Sequence, residues 1–403
     1  MEKYLIINGG SSSLKFSMYE MPTEKLLISG YFEKIGFDDS FWTIKIDENK
    51  IRRDGYLKNH EDAVRMMINE LVDNNVINSM DEICGVGHRV LHGGEIYSDS
   101  VEITDKVLND IVSLTKLGPL HHPGQIAGIE AMIECLPDVK QVAVFDTAFH
   151  QTMPKEKYIY AVPYEWYTKY KVRKYGFHGT SHKYITEYMM KKLNKDKINL
   201  IICHVGSGAS ISCVRNGECY DTTMGLTPLD GLVMGTRSGS VDPSIIKFIM
   251  DETGNDVDEV TNDLNKNSGL IGICGKNDFR DVLAKKLACD ENGMLAYDIF
   301  RDSIIKYIAE YYFALKGEVD AIVFTAGVLE NNAILREDIV QSLSKPMGVY
   351  LNKDMNDNIG YGHDLSEGLI TTADSKTQVW VLPTNEEVMI LRDTYEIIND
   401  KIN

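Results

Sequence analysis

The sequence has no paired cysteines, no basic face and no long apolar run, and each absence removes a class of function. Its seven cysteines, at 84, 135, 203, 213, 219, 274 and 289, contain no Cys-x-x-Cys spacing and are odd in number, so they read as reduced thiols rather than a disulfide framework. Acidic residues outnumber basic ones 60 to 42, and the formal charge of -18 repels nucleic acid and anionic membrane surfaces. No apolar stretch approaches the ~18 residues that span a bilayer. The N-terminus passes from a short apolar strand, Tyr4 to Ile7, straight into a glycine turn, so a cytoplasmic protein with no membrane partner is expected. Two familiar site signatures are missing as well. The Gly/Ser run after Ile7 lacks the GK[ST] ending of a Walker A loop, and no HExxH helix occurs.

What is present is a globular composition, 43% hydrophobic and 25% charged. At 403 residues the chain exceeds what one core usually serves, so two domains and a cleft are expected. Against so acidic a background, phosphate substrates would require a few arginines to make a local positive site.

The hydrophobic pattern is mixed α/β. Strands are expected at 4–7, 14–19, 26–32, 42–46, 83–86 and 141–145. Helices are expected at 61–73, at 105–116 after the N-cap Thr104, and at 123–135 behind Pro123. The second half repeats the order, with strands near 199–204 and 210–215 around an Asn216-Gly217 turn, helices between 242 and 316, and a strand at 320–324. Residues 4–19 and 200–214 are both strand, Gly/Ser turn, strand, which reads as an internal repeat or as two common hairpins. A last helix, from about 385 to 400, is long enough to cross back over the first half.

Several segments carry chemistry. The run Asn8, Gly9, Gly10, Ser11, Ser12, Ser13, Leu14, Lys15 offers backbone N–H groups and hydroxyls with little bulk to keep a phosphate away; a plain flexible turn is the bland alternative. GHRVLHGG at 87–94 sets Arg89 in what reads as a glycine-rich loop after a strand, where its planar fork suits an anion better than a surface role. The histidine pairs His88/His92 and His178/His182 suggest a metal cluster. Glycines after His92 and His178, and the lack of a cysteine pair, argue for hydrogen bonding to developing negative charge instead. VAVFDTAFH at 142–150 ends a buried strand with Asp146, and YGFHGTSH at 175–182 puts His178 before a helix. Strand ends and helix starts point into clefts, although a satisfied structural histidine is the commoner case. DTTMGLTPLDGLVMGTRSGSVDP at 221–243 is long, glycine-rich and holds one cation, Arg237. FTAGVLENN at 324–332 is a strand turning into a helix, and PTNEE at 383–387 supplies Glu386, a hard oxygen ligand.

Taken together, these segments resemble the acetate kinase family of the actin, Hsp70 and sugar-kinase superfamily. The likeness runs from residue 4 to about 395, and VFDTAFHQTMP at 144–154, YGFHGTSH and GLVMGTRSG at 231–239 are long, specific motifs in the family's order. The resemblance implies an α/β fold of two duplicated actin-like ATPase (ribonuclease H-like) lobes with a central cleft. Residues 1–150 with 385–403 would form the acyl-substrate lobe, and 151–384 the lobe for nucleotide binding and dimerisation. It implies reversible, Mg²⁺- or Mn²⁺-dependent in-line transfer between ATP and acetate, giving acetyl phosphate and ADP, by a homodimer. By the same carry-over Arg89 and Arg237 would bind the carboxylate and the transferring phosphoryl, and His178 would donate to that phosphoryl and stabilise the transition state with Arg237. Asp146 and Glu386 would position the metal and its waters, with Asn8 helping to hold it and the phosphoryl region. Leu91, Leu120, Phe177 and Pro228 would form the acyl pocket. Asn8, Ser11, Ser13, Lys15, His204, Gly206, Ser207, Gly208, Asp278, Arg280, Gly327, Glu330 and Asn331 would face the nucleotide and its phosphates.

Departures from the family pattern concentrate on the donor side. Ser207 stands for the asparagine of HLGNGAS, Leu329 for the second glycine of AGIGEN, Gly9 for alanine, and His122 for the asparagine of the PLHN stretch. A leucine at 329 would add bulk near the nucleotide and dislikes positive φ. These changes keep open either an adapted ATP pocket or pyrophosphate as donor. Leu91 in place of the family's valine adds bulk and favours acetate over propionate. The competing readings are a propionate kinase and, from another class, a nucleotide-binding scaffold of the same superfamily, which would need the cleft but not the arginines.

Overall fold

Apolar runs broken by Gly/Ser turns build the sheet of the first of two compact units, residues Met1–Gln151 together with the segment that begins at Asn385; the second unit is Thr152–Thr384. The structure, a computed structural model, describes residues 1–119 and 121–399.

In the first unit the strands are β1 (Glu2–Gly9), β2 (Ser13–Met21), β3 (Lys25–Glu33), β4 (Phe41–Ile46), β5 (Asn49–Asp54), β6 (Ile83–Val90), β7 (Val101–Glu102) and β8 (Gln141–Phe145). They lie in the order β5-β4-β3-β2-β1-β6-β8-β7, with β1 to β5 antiparallel and β1, β6 and β8 parallel. Leu5, Ile7, Leu14, Phe16 and Phe32 of the sheet share one core with Ala63, Met67 and Leu71 of the helix His60–Asp73 and with Met132 of the helix His122–Cys135. The helix Glu386–Ile398 packs on β1, β6 and β8.

The second sheet contains β9 (Leu200–Val205), β10 (Ala209–Arg215), β11 (Glu218–Thr222), β12 (Ala321–Thr325), β13 (Gly368–Leu369) and β14 (Gln378–Val381), in the order β11-β10-β9-β12-β14-β13. Its first five members repeat β3-β2-β1-β6-β8 of the first sheet, three antiparallel strands followed by two parallel ones. The two strand–turn–strand runs of the sequence, β1/β2 and β9/β10, therefore occupy the same place in each sheet. Every residue of β9 and β12 is buried, the pattern of parallel strands covered on both faces.

Two expectations need correction. Arg89 is not in a loop: β6 extends through Val90, four residues past the expected end. Of the glycines that suggested a loop, Gly87 serves helix packing, because a Cβ there would lie 2.3 Å from Thr394 Oγ1, and Gly93 and Gly94 lie beyond the strand's end. The expected helix at 105–116 stops at Ser113 and continues as a 3₁₀ turn over Leu114–Leu117. β5 escaped the periodicity reading because all six of its residues are exposed and it carries no apolar alternation.

Candidate active site

Functional side chains sit at the carboxyl ends of the parallel strands in both units, where open α/β sheets bind ligands. In the first unit these ends carry Asn8 on β1, Arg89 on β6 and Asp146 just after β8. The register ties them together: Ile7 pairs with His88, Arg89 with Val144, and the Asp146 N–H donates to Val90 O at 2.9 Å. Arg89 grips Asp146 with both edges of its fork, Nε donating to Oδ1 at 3.1 Å and Nη2 to Oδ2 at 2.7 Å. Asp146 is 1% exposed, so this bidentate pair aims the guanidinium while screening a buried carboxylate. Its charge is reinforced: the Asp146 carboxylate, against the cost of burial, raises the Arg89 pKa above the ordinary guanidinium value, and Glu386 adds to the rise.

Glu386 opens the last helix of this unit. Burial raises its pKa, Arg89 and Lys15 pull it back down, and the neighbouring charges of Asp146 and Glu387 push it further up. Arg89 thus faces Asp146 and Glu386, two carboxylates for one guanidinium. Such an acidic excess of hard oxygen donors fits a divalent cation, with the Asn8 amide oxygen at an adjoining strand end. Among the described residues no group of three or more His, Cys, Asp or Glu forms a metal cage.

The first Gly/Ser turn is built partly for packing. A Cβ on Gly9 would lie 2.9 Å from Gly124 O, and one on Gly124 would lie 2.3 Å from the Gly10 carbonyl. The turn is pinned by Gly10 N–H to Ser13 O at 2.8 Å and by His60 Nε2 on Gly10 O at 2.7 Å. Ser11 and Lys15 remain exposed, Ser13 is half-buried, and Lys15 pairs across β1/β2 with Asn8.

In the second unit, Arg237 and His178 converge over the turn Gly206–Gly208. A Cβ placed on Gly208 would lie 3.6 Å from both Arg237 Nη1 and His178 Nε2, so the two groups border one small space that any other residue would fill. Arg237 is partly buried, its Nη1 reaching only Pro228 O at 3.4 Å and Met234 Sδ at 3.8 Å. Among the described residues it forms no ion pair, and burial lowers its pKa from the ordinary value. A half-buried cation without a carboxylate calls for an anionic ligand. His178 stands before the helix Gly179–Leu193 with φ +59, a left-handed conformation that fixes the direction of its ring. Its Nδ1 contacts Ser210 Oγ at 2.9 Å, and its ring stacks on His204 with centroids 4.2 Å apart.

Beside this turn lies a cavity of about 480 Å³ within the second unit. Of the expected nucleotide residues, Gly206, Ser207, Asp278, Arg280, Gly327 and Asn331 line it, while His204, Gly208 and Glu330 do not. Glu330 instead staples strand ends, accepting from Ala326 N at 2.6 Å and Thr384 N at 3.3 Å. Arg280 is held by Asp278, and this ion pair lowers the aspartate pKa to about 2. The expectation that Leu329 intrudes on the nucleotide is overturned. Its side chain is fully buried in the core, Gly327 and Val328 form the cavity wall, and its φ is not positive. Its carbonyl accepts from the buried Arg336 Nη1 at 2.8 Å, which pins the loop in that orientation.

Leu91 (5% exposed) belongs to the first unit, and Phe177 (1%) and the half-buried Pro228 belong to the second; Leu120 lies outside the described residues. The sequence reading missed the cavity walls Asn277, Val328 and Tyr361. Nothing marked them, since a lone asparagine or an exposed tyrosine carries no pattern. It also read His182 only as a metal candidate; His178 precedes the helix in a left-handed conformation, so spacing alone did not show that both rings meet Ser210.

The sequence profile of the acetokinase family matches residues 3–392. An acetate kinase of Bacillus cytotoxicus is 50% identical over 402 residues, covering 99% of this chain and all of that protein. The crystal structure of Porphyromonas gingivalis acetate kinase superposes with a TM-score of 0.94 at 39% identity, covering 99% of this chain and 100% of that one. A propionate kinase from Francisella tularensis superposes with a TM-score of 0.92 at 42% identity, covering 98% of this chain and 100% of its own. With a full-length profile match, half of its residues shared with a relative of equal extent, and the duplicated sheets in common, the chain belongs to the acetokinase family.

Proposed function

We propose that the chain catalyses reversible phosphoryl transfer between ATP and acetate, giving acetyl phosphate and ADP. The observation that carries this reading is the pairing of opposite deficits. One unit presents Arg89 among surplus carboxylates, and the other presents Arg237 with no carboxylate at all. A divalent cation answers the first demand and a phosphoryl group the second, the two components of a metal–nucleotide substrate. Phosphoryl transfer to a carboxylate requires alignment, charge neutralisation and exclusion of water rather than covalent help. Arg89, preset by Asp146, binds the acetate carboxylate. Arg237 and the Nε2–H of His178 take the equatorial oxygens of the transferring group, as their shared space over Gly208 permits. Leu91, Phe177 and Pro228 keep water from the acyl group. Asn8 and Glu386, with Asp146 nearby, would hold Mg²⁺ or Mn²⁺, which supplies charge neutralisation of the donor phosphates when bound.

ATP is favoured over pyrophosphate by the cavity. A space of about 480 Å³ walled by Asp278, Arg280 and Asn331 has a use for a nucleoside and none for pyrophosphate. With Leu329 turned away, the strongest sequence argument against ATP is removed. Homodimerisation through the second unit is supported by the helix Ser244–Thr253, which buries none of its residues yet leaves Ile245 40% and Phe248 62% exposed. A cytoplasmic setting accords with the acidic surface, and among the described residues no helix is long and apolar enough to cross a membrane.

The test is to trap acyl phosphate with hydroxylamine across a grid of acetate, propionate and butyrate against ATP, GTP and pyrophosphate, with and without Mg²⁺. Metal-dependent product from acetate and ATP at the highest kcat/KM is expected. A higher value with propionate would reassign the acyl pocket, and turnover with pyrophosphate alone would reassign the donor.

A further inference from the structure

Ser210 lies at the start of β10 between two histidines. Its Oγ is 2.9 Å from His178 Nδ1 and 2.8 Å from His182 Nε2. Ser210 and His182 are both fully buried, and His182 follows His178 by one helical turn. A serine hydroxyl carries one proton and two lone pairs, so it can donate to at most one ring and must accept from any ring it does not donate to. The two histidines therefore cannot both present bare nitrogens to this oxygen. Only donation from Ser210 to His178 leaves the remaining nitrogen of a neutral His178 protonated.

We propose that His182 and Ser210 are positioning residues that set the tautomer of His178, keeping its proton on Nε2, the atom that borders the space shared with Arg237 over Gly208. His182 Nε2–H donates to Ser210 Oγ, Ser210 donates to His178 Nδ1, and His178 keeps its proton on Nε2, which borders the space over Gly208. The opposite assignment would aim a lone pair at the phosphoryl oxygens and repel them. Neighbouring groups hold the ring in plane for this task. His204 stacks against His178, and its own Nδ1 contacts Ser181 Oγ at 2.8 Å, which in turn meets Thr384 Oγ1 at 2.7 Å. The mechanism needs no net charge on His178, which suits a site beside a cation that already lacks a carboxylate. The inference rests on the reading of His178 as a donor to the transferring group and adds the device that makes it one.

The experiment uses the full chain with ¹⁵N-labelled histidine. Two-bond ¹H–¹⁵N spectra of the wild type, assigned with His178→Ala, are expected to show a bare Nδ1 and a protonated Nε2 for His178. Ser210→Ala removes the bridge and should give a mixture of tautomers. Its kcat should fall about 10- to 100-fold, the usual cost of losing a residue that orients a working group, with KM for acetate and ATP changed less than about threefold. His182→Gln keeps an N–H for Ser210 and should retain the wild-type tautomer and most of kcat, whereas His182→Leu should lose both. A wild-type proton on Nδ1, or Ser210→Ala with unaltered tautomer and kcat, would overturn the relay. Equal losses in His182→Gln and His182→Leu would count against the N–H as the operative feature. Full turnover in His178→Ala would instead overturn the donor role itself, and the tautomer spectrum, read without turnover, keeps the two failures apart.

Discussion

Arg89 and Arg237 are the same side chain in opposite circumstances. Arg89 is clamped by a buried aspartate that raises its pKa; Arg237 rests on a carbonyl and a thioether, and burial lowers its pKa. The first unit carries surplus negative charge around its arginine, and the second carries an uncompensated positive charge. Neither charge is balanced within its own unit. The difference teaches that the geometry around an arginine, rather than its presence, tells whether it is prepared for a ligand or already satisfied by the protein.

The comparison is broken most directly by removing each arginine. Arg89→Ala should lower kcat about 10²- to 10³-fold and also destabilise the fold by about 3–5 kcal/mol, because it strips the guanidinium from a buried carboxylate. Arg237→Ala should lower kcat by a similar factor but leave the melting temperature unchanged or higher, since it removes a half-buried charge that has no carboxylate partner. Steady-state kinetics with hydroxylamine trapping, beside thermal melts of the ligand-free proteins, measures both. Equal melting losses in the two variants would erase the distinction between the arginines.

How much of this could be read in the residues follows from where the information sits. The strand–turn–strand runs at 4–19 and 200–214 were legible because apolar runs and Gly/Ser turns are local signals, and β1/β2 and β9/β10 are their outcome; only their equal places in the two sheets make them a repeat rather than two common hairpins. Arg89, Arg237, His178, Asp146 and Glu386 stood out through motif and chemistry. Gly87 misled because a glycine that admits a helix looks, in one dimension, like a glycine that breaks a strand. Leu329 misled for a similar reason. Its bulk is visible in the sequence, but its direction is set by Arg336, whose five donors are spent on Leu329, Glu330, Asn356 and Ile359 from two separate stretches. The Ser210 bridge was illegible because it joins a strand to a helix 28 residues away through an unremarkable serine.

The acyl side offers a milder test of the division of labour between the units. Leu91 is buried and its N–H is fixed by Gln125 Oε1 at 3.0 Å, so the side chain cannot withdraw by a simple backbone shift. Leu91→Val should raise the kcat/KM ratio of propionate to acetate by about tenfold, within the ~1–3 kcal/mol that one methylene is worth in an apolar pocket. Phosphate-donor KM should not move. An unchanged ratio would remove Leu91 from the acyl pocket and leave that pocket to the second unit's residues.

The smallest effect concerns the surplus charge itself. Burial holds the folded-state pKa of Glu386 above its ordinary 4.5, even though its first-turn position in the last helix favours the ionised form. A carboxyl whose pKa is raised on folding binds more protons folded than unfolded. Stability therefore falls as pH rises from 4.5 toward the raised value, and stays reduced above it. Glu386→Gln removes that cost, so the ligand-free variant should melt higher than the wild type at pH 7.5. The gap should close as the pH is lowered toward 4.5, where the unfolded glutamate is itself taking up its proton. Added Mg²⁺ and ATP should stabilise the wild type more than the variant, reversing the order at neutral pH. A variant that melts below the wild type at pH 7.5 in the absence of metal would mean that Arg89 and Lys15 already outweigh the burial of Glu386, and the first unit would then carry no surplus for a cation to answer.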